Sequence, residues 1–186
     1  MKNKNVKNTP LTGVYEINME PFNDERGIFL NIFRRRDPLF QYVWGQKPIS
    51  QVNISKTNKK GTIRGLHLQS STYSEYKLVR CIKGLVFDVI VDLRKNSVTY
   101  GDWYSLQLCS NKNNAIIIPE GCAHGFQVLK DYSELIYIHS GNWEPNNEKG
   151  IRWDDPEINI NWPLKGKGIS KRDLNLPLFK NYELPL

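Results

Sequence analysis

The sequence has little of what marks membrane, secreted and disulfide-rich proteins. No stretch of its 186 residues approaches the ~20 consecutive apolar residues that span a bilayer. The lysines near the N-terminus are not followed by an apolar run, so we expect no secretory signal there. Cysteine occurs only three times, an odd number without the spacing of a disulfide framework. These absences predict a cytoplasmic protein with reduced thiols and no membrane partner.

Basic residues outnumber acidic residues in the sequence. Lysine and arginine together number 26 against 19 acidic residues, which gives a net charge of +7. The basic residues cluster at 34–36, 56–60 and 165–172, and the cluster at 56–60 is best explained as solvated surface. Because the chain carries no recognised nucleic-acid motif, we expect no nucleic-acid partner. A small phosphorylated ligand fits better, since it needs only a few arginines directed into one cavity.

The pattern of apolar residues predicts an all-β fold. Short alternating runs separated by turn residues occur at 14–19, 62–69, 76–82, 85–92, 103–108, 114–118, 125–128 and 134–139. Regular short strands of this kind are typical of a jelly-roll barrel or sandwich. We expect a flexible N-terminus over residues 1–10 and a single domain over residues 11–186, with a short helix over residues 34–43. From about residue 143 the pattern predicts loops and a last short helix at 169–173.

Two stretches in this pattern combine a strand, glycines and a histidine. The first is Gly-Thr-Ile-Arg-Gly-Leu-His-Leu-Gln at 61–69, and the second is Ile-Ile-Pro-Glu-Gly-Cys-Ala-His-Gly-Phe at 117–126. We expect the fold to bring their histidines, His67 and His124, together inside a barrel. A metal site in such a barrel needs about three imidazoles and a carboxylate. Because Gln69 stands where a second ligating histidine would be expected, the sequence predicts no metal.

Acid–base chemistry suits these residues better. A histidine in a polar barrel mouth can have a pKa near the working pH, provided that a carboxylate orients it. Asp173 or Asp155 could return from the C-terminal segment to do so. Tyr137, on a neighbouring alternating strand, could act as the opposing acid, although periodicity alone favours an ordinary core aromatic.

Further charged residues could support such chemistry. Lys77 and Arg64 could stabilise a developing oxyanion. His139 has no partner that the sequence identifies, and we predict a structural role for it.

Five motifs, taken in order, resemble the dTDP-4-dehydrorhamnose 3,5-epimerase family of cupins. They are Arg-Gly-Leu-His-Leu-Gln at 64–69, Lys-Leu-Val-Arg at 77–80, Phe-Asp-Val-Ile-Val-Asp-Leu-Arg at 87–94, Pro-Glu-Gly-Cys-Ala-His-Gly-Phe at 119–126 and Gly-Ile-Arg-Trp-Asp-Asp-Pro at 150–156. The resemblance runs from about residue 13 to residue 177, nearly the whole chain.

The resemblance implies a dimeric cupin jelly roll that uses neither metal nor cofactor. Its substrate would be a nucleoside diphosphate linked to a 4-keto-6-deoxysugar. Carried over by motif, His67 is the base, Asp173 its carboxylate partner and Tyr137 the acid, and Lys77 sits by the enolate. The remaining matched positions bind substrate: Arg26, Arg64, His124, Arg172, Gln51, Asn53 and Glu148.

The chain departs from the family pattern at several binding positions. Asn31 stands where the family has a glutamate that meets the thymine base, and Val52 interrupts the family's Gln-Asp-Asn triplet. Trp143 replaces a tyrosine that stacks near the sugar, and Arg172 replaces a lysine. The proton-transfer set is intact, whereas the nucleotide and sugar contacts are altered.

Three functions remain open at this point. The resemblance implies an epimerase that inverts C3, C5 or both in deoxysugar (rhamnose-type) biosynthesis. A second possibility is a 3-epimerase or keto-isomerase of another deoxysugar pathway. A third is a sugar-nucleotide-binding cupin without catalysis, against which the retention of His67, Asp173 and Tyr137 argues.

Overall fold

The computed structural model describes residues 5–183, which contain thirteen strands, two short α-helices and four single-turn 3-10 helices. The strands are β1 (Val6–Asn8), β2 (Tyr15–Asn18), β3 (Phe22–Asp24), β4 (Gly27–Phe29), β5 (Gln51–Thr57), β6 (Ile63–Gln69), β7 (Lys77–Lys83), β8 (Leu85–Asp92), β9 (Trp103–Cys109), β10 (Asn114–Ile118), β11 (Cys122–Val128), β12 (Ser133–His139) and β13 (Glu148–Gly150). The α-helices are α1 (Pro38–Val43) and α2 (Lys171–Leu174).

The strands form two antiparallel sheets that enclose the main core. One sheet has the order β1-β2-β10-β7-β12-β5 and the other the order β13-β6-β11-β8-β9, while β3 and β4 form a separate two-stranded hairpin. The core between the sheets includes Val79 and Leu135 from the first sheet and Ile90 and Phe126 from the second. This arrangement is the predicted all-β jelly roll.

Both outer faces of the sandwich are covered by other segments. Leu78 and Ile138 point away from the main core and pack against Phe40 and Trp44, in and after α1. On the other sheet, a second apolar face packs against the C-terminal segment, including Ile158 and Tyr182. Successive side chains of a strand point to opposite faces, so the residues before and after each buried outer residue point toward the space between the sheets. The polar residues of the site occupy such inward positions.

Two local expectations are corrected, and a third stays a prediction. Within the N-terminal segment expected to be flexible, residues 6–8 form β1 and pair with β2 in register, Val6 with Ile17; residues 1–4 lie outside the described part. The helix expected over residues 34–43 begins only at Pro38, since Asp37 caps it by accepting the backbone N–H of Leu39. The stretch after residue 143, expected to be loop, contains β13, which pairs with β6.

The last predicted helix is present and short. Ser170 caps α2 by accepting a hydrogen bond from the backbone N–H of Asp173 at 3.1 Å. This cap fixes the Asp173 side chain beside β6, against which α2 packs.

Candidate active site

A cavity of about 650 Å³ opens between the two sheets at the ends of β6, β7 and β12. Its volume lies within the range of small-molecule sites. The catalytic candidates His67, Lys77, Tyr137 and Asp173 all line it. Six of the nine predicted binding residues line it as well: Asn53, Arg64, His124, Trp143, Glu148 and Arg172.

His67 is held by the carboxylate of Asp173. Its Nε2 atom lies 2.9 Å from Oδ1 of Asp173, while Oδ2 of Asp173 accepts the backbone N–H of Gly65 at 3.2 Å. Burial of Asp173 acts to raise its pKa, but hydrogen bonding and charge from His67, with further hydrogen bonds from Gly65 and Ser170, bring the pKa down to about 2. The ionised carboxylate therefore keeps a proton on Nε2 and leaves Nδ1 free to accept one.

The alternative carboxylate has a different role. Both oxygens of Asp155 accept backbone N–H groups, with Oδ1 bound to Glu157 and Ile158 and Oδ2 bound to Phe179. Asp155 thus ties the C-terminal segment together. Of the two carboxylates that the sequence offered, it is Asp173 that reaches His67.

Tyr137 faces the cavity from the sheet opposite His67. It lies on β12, and its ring makes an edge contact with His124 at a centroid distance of 5.9 Å. Burial, and then the negative charge of Asp88, raise the pKa of the Tyr137 hydroxyl well above its usual value. The hydroxyl therefore stays protonated at ordinary pH and has a proton to donate.

His124 is paired with a buried carboxylate. Its Nε2 lies 2.9 Å from Oδ2 of Asp88, and Asp88 is fully buried. Burial raises the pKa of Asp88, which His124 partly offsets. The second carboxylate oxygen of Asp88 has no hydrogen-bond partner among the described residues.

Lys77 and His139 meet at one carboxylate, which sequence analysis missed. Glu75 lies 3.5 Å from Nζ of Lys77 through Oε1 and 3.0 Å from Nδ1 of His139 through Oε2. Glu75 and His139 both line the cavity. Glu75 is thus the partner of His139 that the sequence did not identify, and the structural role of His139 stays a prediction. One signal was available, because His139 follows Tyr137 by two positions and must share its face of the strand.

Glu148 joins several residues at the cavity mouth. Its Oε2 accepts a hydrogen bond from Arg172 at 2.6 Å and one from the indole of Trp143 at 3.1 Å, while its Oε1 lies 3.7 Å from Nδ1 of His67. β13 supplies Glu148 opposite Gln69 of β6. Glu148 thus connects Arg172 and Trp143 to the ring of His67.

The two amide residues of β5 also contact this region. Gln51 accepts the backbone N–H of Trp143 at 2.8 Å and donates to Asn53 at 3.0 Å. Gln69, the residue at the expected metal-ligand position, accepts the backbone N–H of Glu144 at 3.3 Å. Arg64 is exposed at the rim, and its guanidinium donates to the backbone carbonyl of Lys56 at 3.4 Å.

Three predicted binding residues do not line the main cavity: Gln51, which contacts its neighbours Asn53 and Trp143, and two residues in or near the β3–β4 hairpin. Arg26 sits at the β3–β4 hairpin and pairs with Asp24 at 2.5 Å, and its side chain is 85% exposed. Asn31 follows the same hairpin. Within residues 5–183 no group of three or more histidine, cysteine or acidic side chains is arranged to hold a metal ion, and no helix there is long and apolar enough to cross a membrane.

Comparison with known proteins identifies relatives of nearly full length. The family model described as dTDP-4-dehydrorhamnose 3,5-epimerase matches residues 8–181. The dTDP-4-dehydrorhamnose 3,5-epimerase of Shigella flexneri is 41% identical over 92% of this chain and 93% of its own. A dTDP-4-dehydrorhamnose 3-epimerase of Streptomyces niveus is 36% identical over 88% of this chain and 78% of its own.

A solved structure of a relative has the same fold as this chain. The crystal structure of dTDP-6-deoxy-D-glucose-3,5-epimerase from Legionella pneumophila, in complex with dTDP-4-keto-L-rhamnose, superposes with a TM-score of 0.91. It is 33% identical in sequence, and the match covers 96% of this chain and 94% of that one.

Proposed function

The chain belongs to the dTDP-4-dehydrorhamnose 3,5-epimerase family, and we propose that it inverts C3 and C5 of a dTDP-linked 4-keto-6-deoxysugar. The reaction belongs to deoxysugar biosynthesis of the rhamnose type. The observation that carries the proposal is the pairing of a carboxylate-held imidazole, His67, with a protonated phenol, Tyr137, on opposite sheets of one cavity.

The chemistry follows from the carbonyl at C4 of the sugar. This carbonyl acidifies the hydrogens at C3 and C5, and His67 removes one of them through Nδ1. The proton stays on the imidazolium, which Asp173 and Glu148 stabilise, while the electrons of the C–H bond pass to the C4 oxygen as an enolate. Lys77 supplies positive charge to this oxygen. Tyr137 then gives its proton to the other face of the carbon as the electrons return from the C4 oxygen, which re-forms the carbonyl and inverts the carbon. The phenolate left on Tyr137 takes up a proton from water and the imidazolium of His67 gives its proton to water, which restores both groups.

The rim of the cavity suits an anionic nucleotide. Arg64 and Arg172 are exposed cations that line it, and arginine is well matched to phosphate. Trp143 offers a flat face that is half exposed, suited to stacking near the sugar. We propose that these residues bind the substrate together with Gln51, Asn53, His124 and Glu148. The neutral amide of Asn31, where the family has a glutamate, would alter the contact to the base.

We also propose that the protein acts as a homodimer. The β3–β4 hairpin pairs with neither main sheet, and its apolar side chains Phe22, Ile28 and Phe29 are 64–65% exposed. Exposed apolar clusters of this kind mark interaction surfaces. Arg26 and Asn31 are carried by or next to this hairpin. A second copy of the chain, bound to this hairpin, would place Arg26 and Asn31 next to the substrate in the cavity of that second copy.

One experiment separates the candidate functions. The protein is incubated in deuterated water with dTDP-4-keto-6-deoxyglucose, and deuterium is located by mass and by position. We expect exchange at both C3 and C5. Exchange at C3 alone would favour the alternative of a 3-epimerase, the activity that the Streptomyces niveus relative is named for. No exchange would favour a binding protein and contradict the proposal.

A further inference from the structure

Glu75 occupies an unusual position for an acidic side chain, at the wall of the cavity between the ammonium of Lys77 and the imidazole of His139. Only 4% of its side chain is exposed, and those of Lys77 and His139 are each 11% exposed. A buried carboxylate is unfavourable unless it is paired and hydrogen-bonded. Its Oε1 meets the Lys77 ammonium, and its Oε2 accepts the Nδ1–H of His139. Both oxygens of Glu75 are thus engaged, one by each neighbour.

The sheet brings these three residues together by register. His139 lies directly opposite Lys77 in the pairing of β12 with β7, so the two side chains share the inner face. The segment that carries Glu75 is joined to the end of β12 by two hydrogen bonds between Tyr76 and Ser140, at 2.8 and 3.0 Å. Gly141 lies beside Glu75, where an added Cβ would come within 3.2 Å of the Glu75 Cβ. The backbone therefore holds the carboxylate in one place.

Lys77 depends on this carboxylate for its position. Among residues 5–183, Glu75 is the only ion-pair partner of the Lys77 ammonium. A lysine side chain has several rotatable bonds, and its ammonium is a point charge without the fixed geometry of a guanidinium. An anchoring carboxylate removes much of that freedom, and fixed charge at the reacting oxygen is what electrostatic catalysis needs.

We propose that Glu75 and His139 are positioning residues that hold the Lys77 ammonium at the enolate oxygen. His139 donates Nδ1–H to Glu75, and Glu75 in turn anchors Lys77. The inference rests on the proposed epimerase function, since it assigns the residues that prepare Lys77 for that reaction.

The surroundings of His139 favour positioning over direct proton transfer. Its Nδ1 is committed to Glu75, its ring stacks on Tyr137 at a centroid distance of 5.9 Å and an angle of 17°, and its Nε2 lies 3.5 Å from the amide nitrogen of Asn53. With Nδ1 protonated, Nε2 can accept from this amide. The imidazole is therefore held on three sides by protein groups.

The test compares variants that keep or remove the two hydrogen-bonded groups. Glu75→Gln removes the charge at constant size. His139→Asn keeps an N–H donor close to the position of Nδ1, whereas His139→Phe keeps the ring and removes the donor. Glu134→Gln is the matched control, because Glu134 lies on β12 but pairs with Lys56 and Lys83 on the surface. Two readouts are used: the rate of deuterium exchange into the substrate, and the proton–nitrogen NMR signal of the Lys77 ammonium, assigned with Lys77→Arg.

The expected pattern is specific to positioning. Glu75→Gln and His139→Phe should lower kcat at least about 10-fold while KM changes less than about 3-fold, since the loss falls on the transition state. His139→Asn and Glu134→Gln should stay close to wild type. In a Lys77→Met background, Glu75→Gln should cause no further loss, because both act through one group. The Lys77 ammonium signal should be resolved in wild type and His139→Asn and lost in the other two site variants.

Three results would overturn the inference. They are an unchanged Lys77 signal in Glu75→Gln, equal losses in His139→Asn and His139→Phe, and full activity in Lys77→Met. Equal losses would instead identify the imidazole as a proton-transfer group. If wild type exchanges no deuterium, the proposed function fails, whereas the ammonium signal still decides whether Glu75 and His139 position Lys77.

Discussion

The imidazole of His67 and the carboxylate of Asp173 lie 2.9 Å apart although 106 positions separate them in the chain. His67 is carried by β6 of the five-stranded sheet, and Asp173 by the four-residue helix α2. The short helix packs on β6, and the Ser170 cap sets its start. The pair therefore forms only in the tertiary fold, and its chemistry can be tested by replacing either residue.

Replacing the base should remove exchange without removing binding. His67→Asn keeps a polar side chain of smaller size but cannot accept a proton from carbon. A general base contributes about 10²–10⁴-fold, so we expect deuterium exchange to fall by at least that factor. Calorimetric titration with dTDP should show binding close to wild type. A folded His67→Asn protein that exchanges deuterium at nearly the wild-type rate would show that another residue is the base.

The alternation of apolar residues was enough to predict most of the framework. The strand predicted over residues 85–92 is observed with the same bounds as β8. Its apolar residues pack into the main core on one face and against the C-terminal segment on the other, which explains why both faces are apolar in the sequence. β13 escaped prediction because Glu-Lys-Gly carries no apolar pattern. Its existence depends on the close approach of Gly150 to the backbone of Leu66, where a Cβ would collide with the carbonyl.

The site was predictable only in part, for a related reason. The motifs around His67, Lys77 and Tyr137 are local in sequence, and the resemblance carries their roles. Glu75 lies in a loop between strands, where neither periodicity nor motif marks it. Only the pairing of β7 with β12 shows that it meets His139. Contacts of this kind depend on register, which a single sequence does not reveal.

A second prediction concerns the dependence of stability on pH. Burial acts to raise the pKa of Asp92, but hydrogen bonds from Arg94, Ser97 and Thr99 outweigh it and bring the pKa to about 2. The unfolded value is near 3.9, so Asp92 stabilises the fold above about pH 4, and this contribution is lost as the pH falls toward 2.

Denaturant unfolding of wild type and Asp92→Asn at several pH values tests this effect. Wild type should be the more stable at pH 7 by about 2 kcal/mol or more. That advantage should shrink by about 1 kcal/mol at pH 3. A difference that stays constant from pH 7 to pH 3 would show that the carboxylate of Asp92 is not held in its ionised form by these donors.

The hairpin gives a test of the proposed dimer. Phe22 and Phe29 face each other across β3 and β4, with ring centroids 6.4 Å apart. Phe29→Ser removes one ring of this exposed cluster and should shift the protein toward monomer, measured by sedimentation at micromolar concentration. Val98→Ser is the control, because Val98 is 94% exposed on another turn and should leave the mass unchanged. An equal mass for both variants would exclude the hairpin from the interface.

The last prediction separates the two proton transfers. Tyr137→Phe keeps the ring against His124 and His139 and removes only the hydroxyl. Because His67 can still take a proton and return it to the same face, exchange should continue while inversion slows by about 10²-fold or more. Mass measures the exchange, and proton coupling constants of the sugar measure the inversion. The control is Tyr132→Phe, since Tyr132 is 59% exposed and outside the cavity.

Trp143→Ala provides the contrasting case in the same assay. It removes a stacking face and should weaken substrate binding, with inversion and exchange reduced together through positioning. A Tyr137→Phe protein that behaves in the same way, losing both rates equally, would indicate that the phenol only helps to hold the sugar. If Tyr137→Phe inverts as fast as wild type, the proton for the second face must come from a different donor, because the remaining ring has none to give.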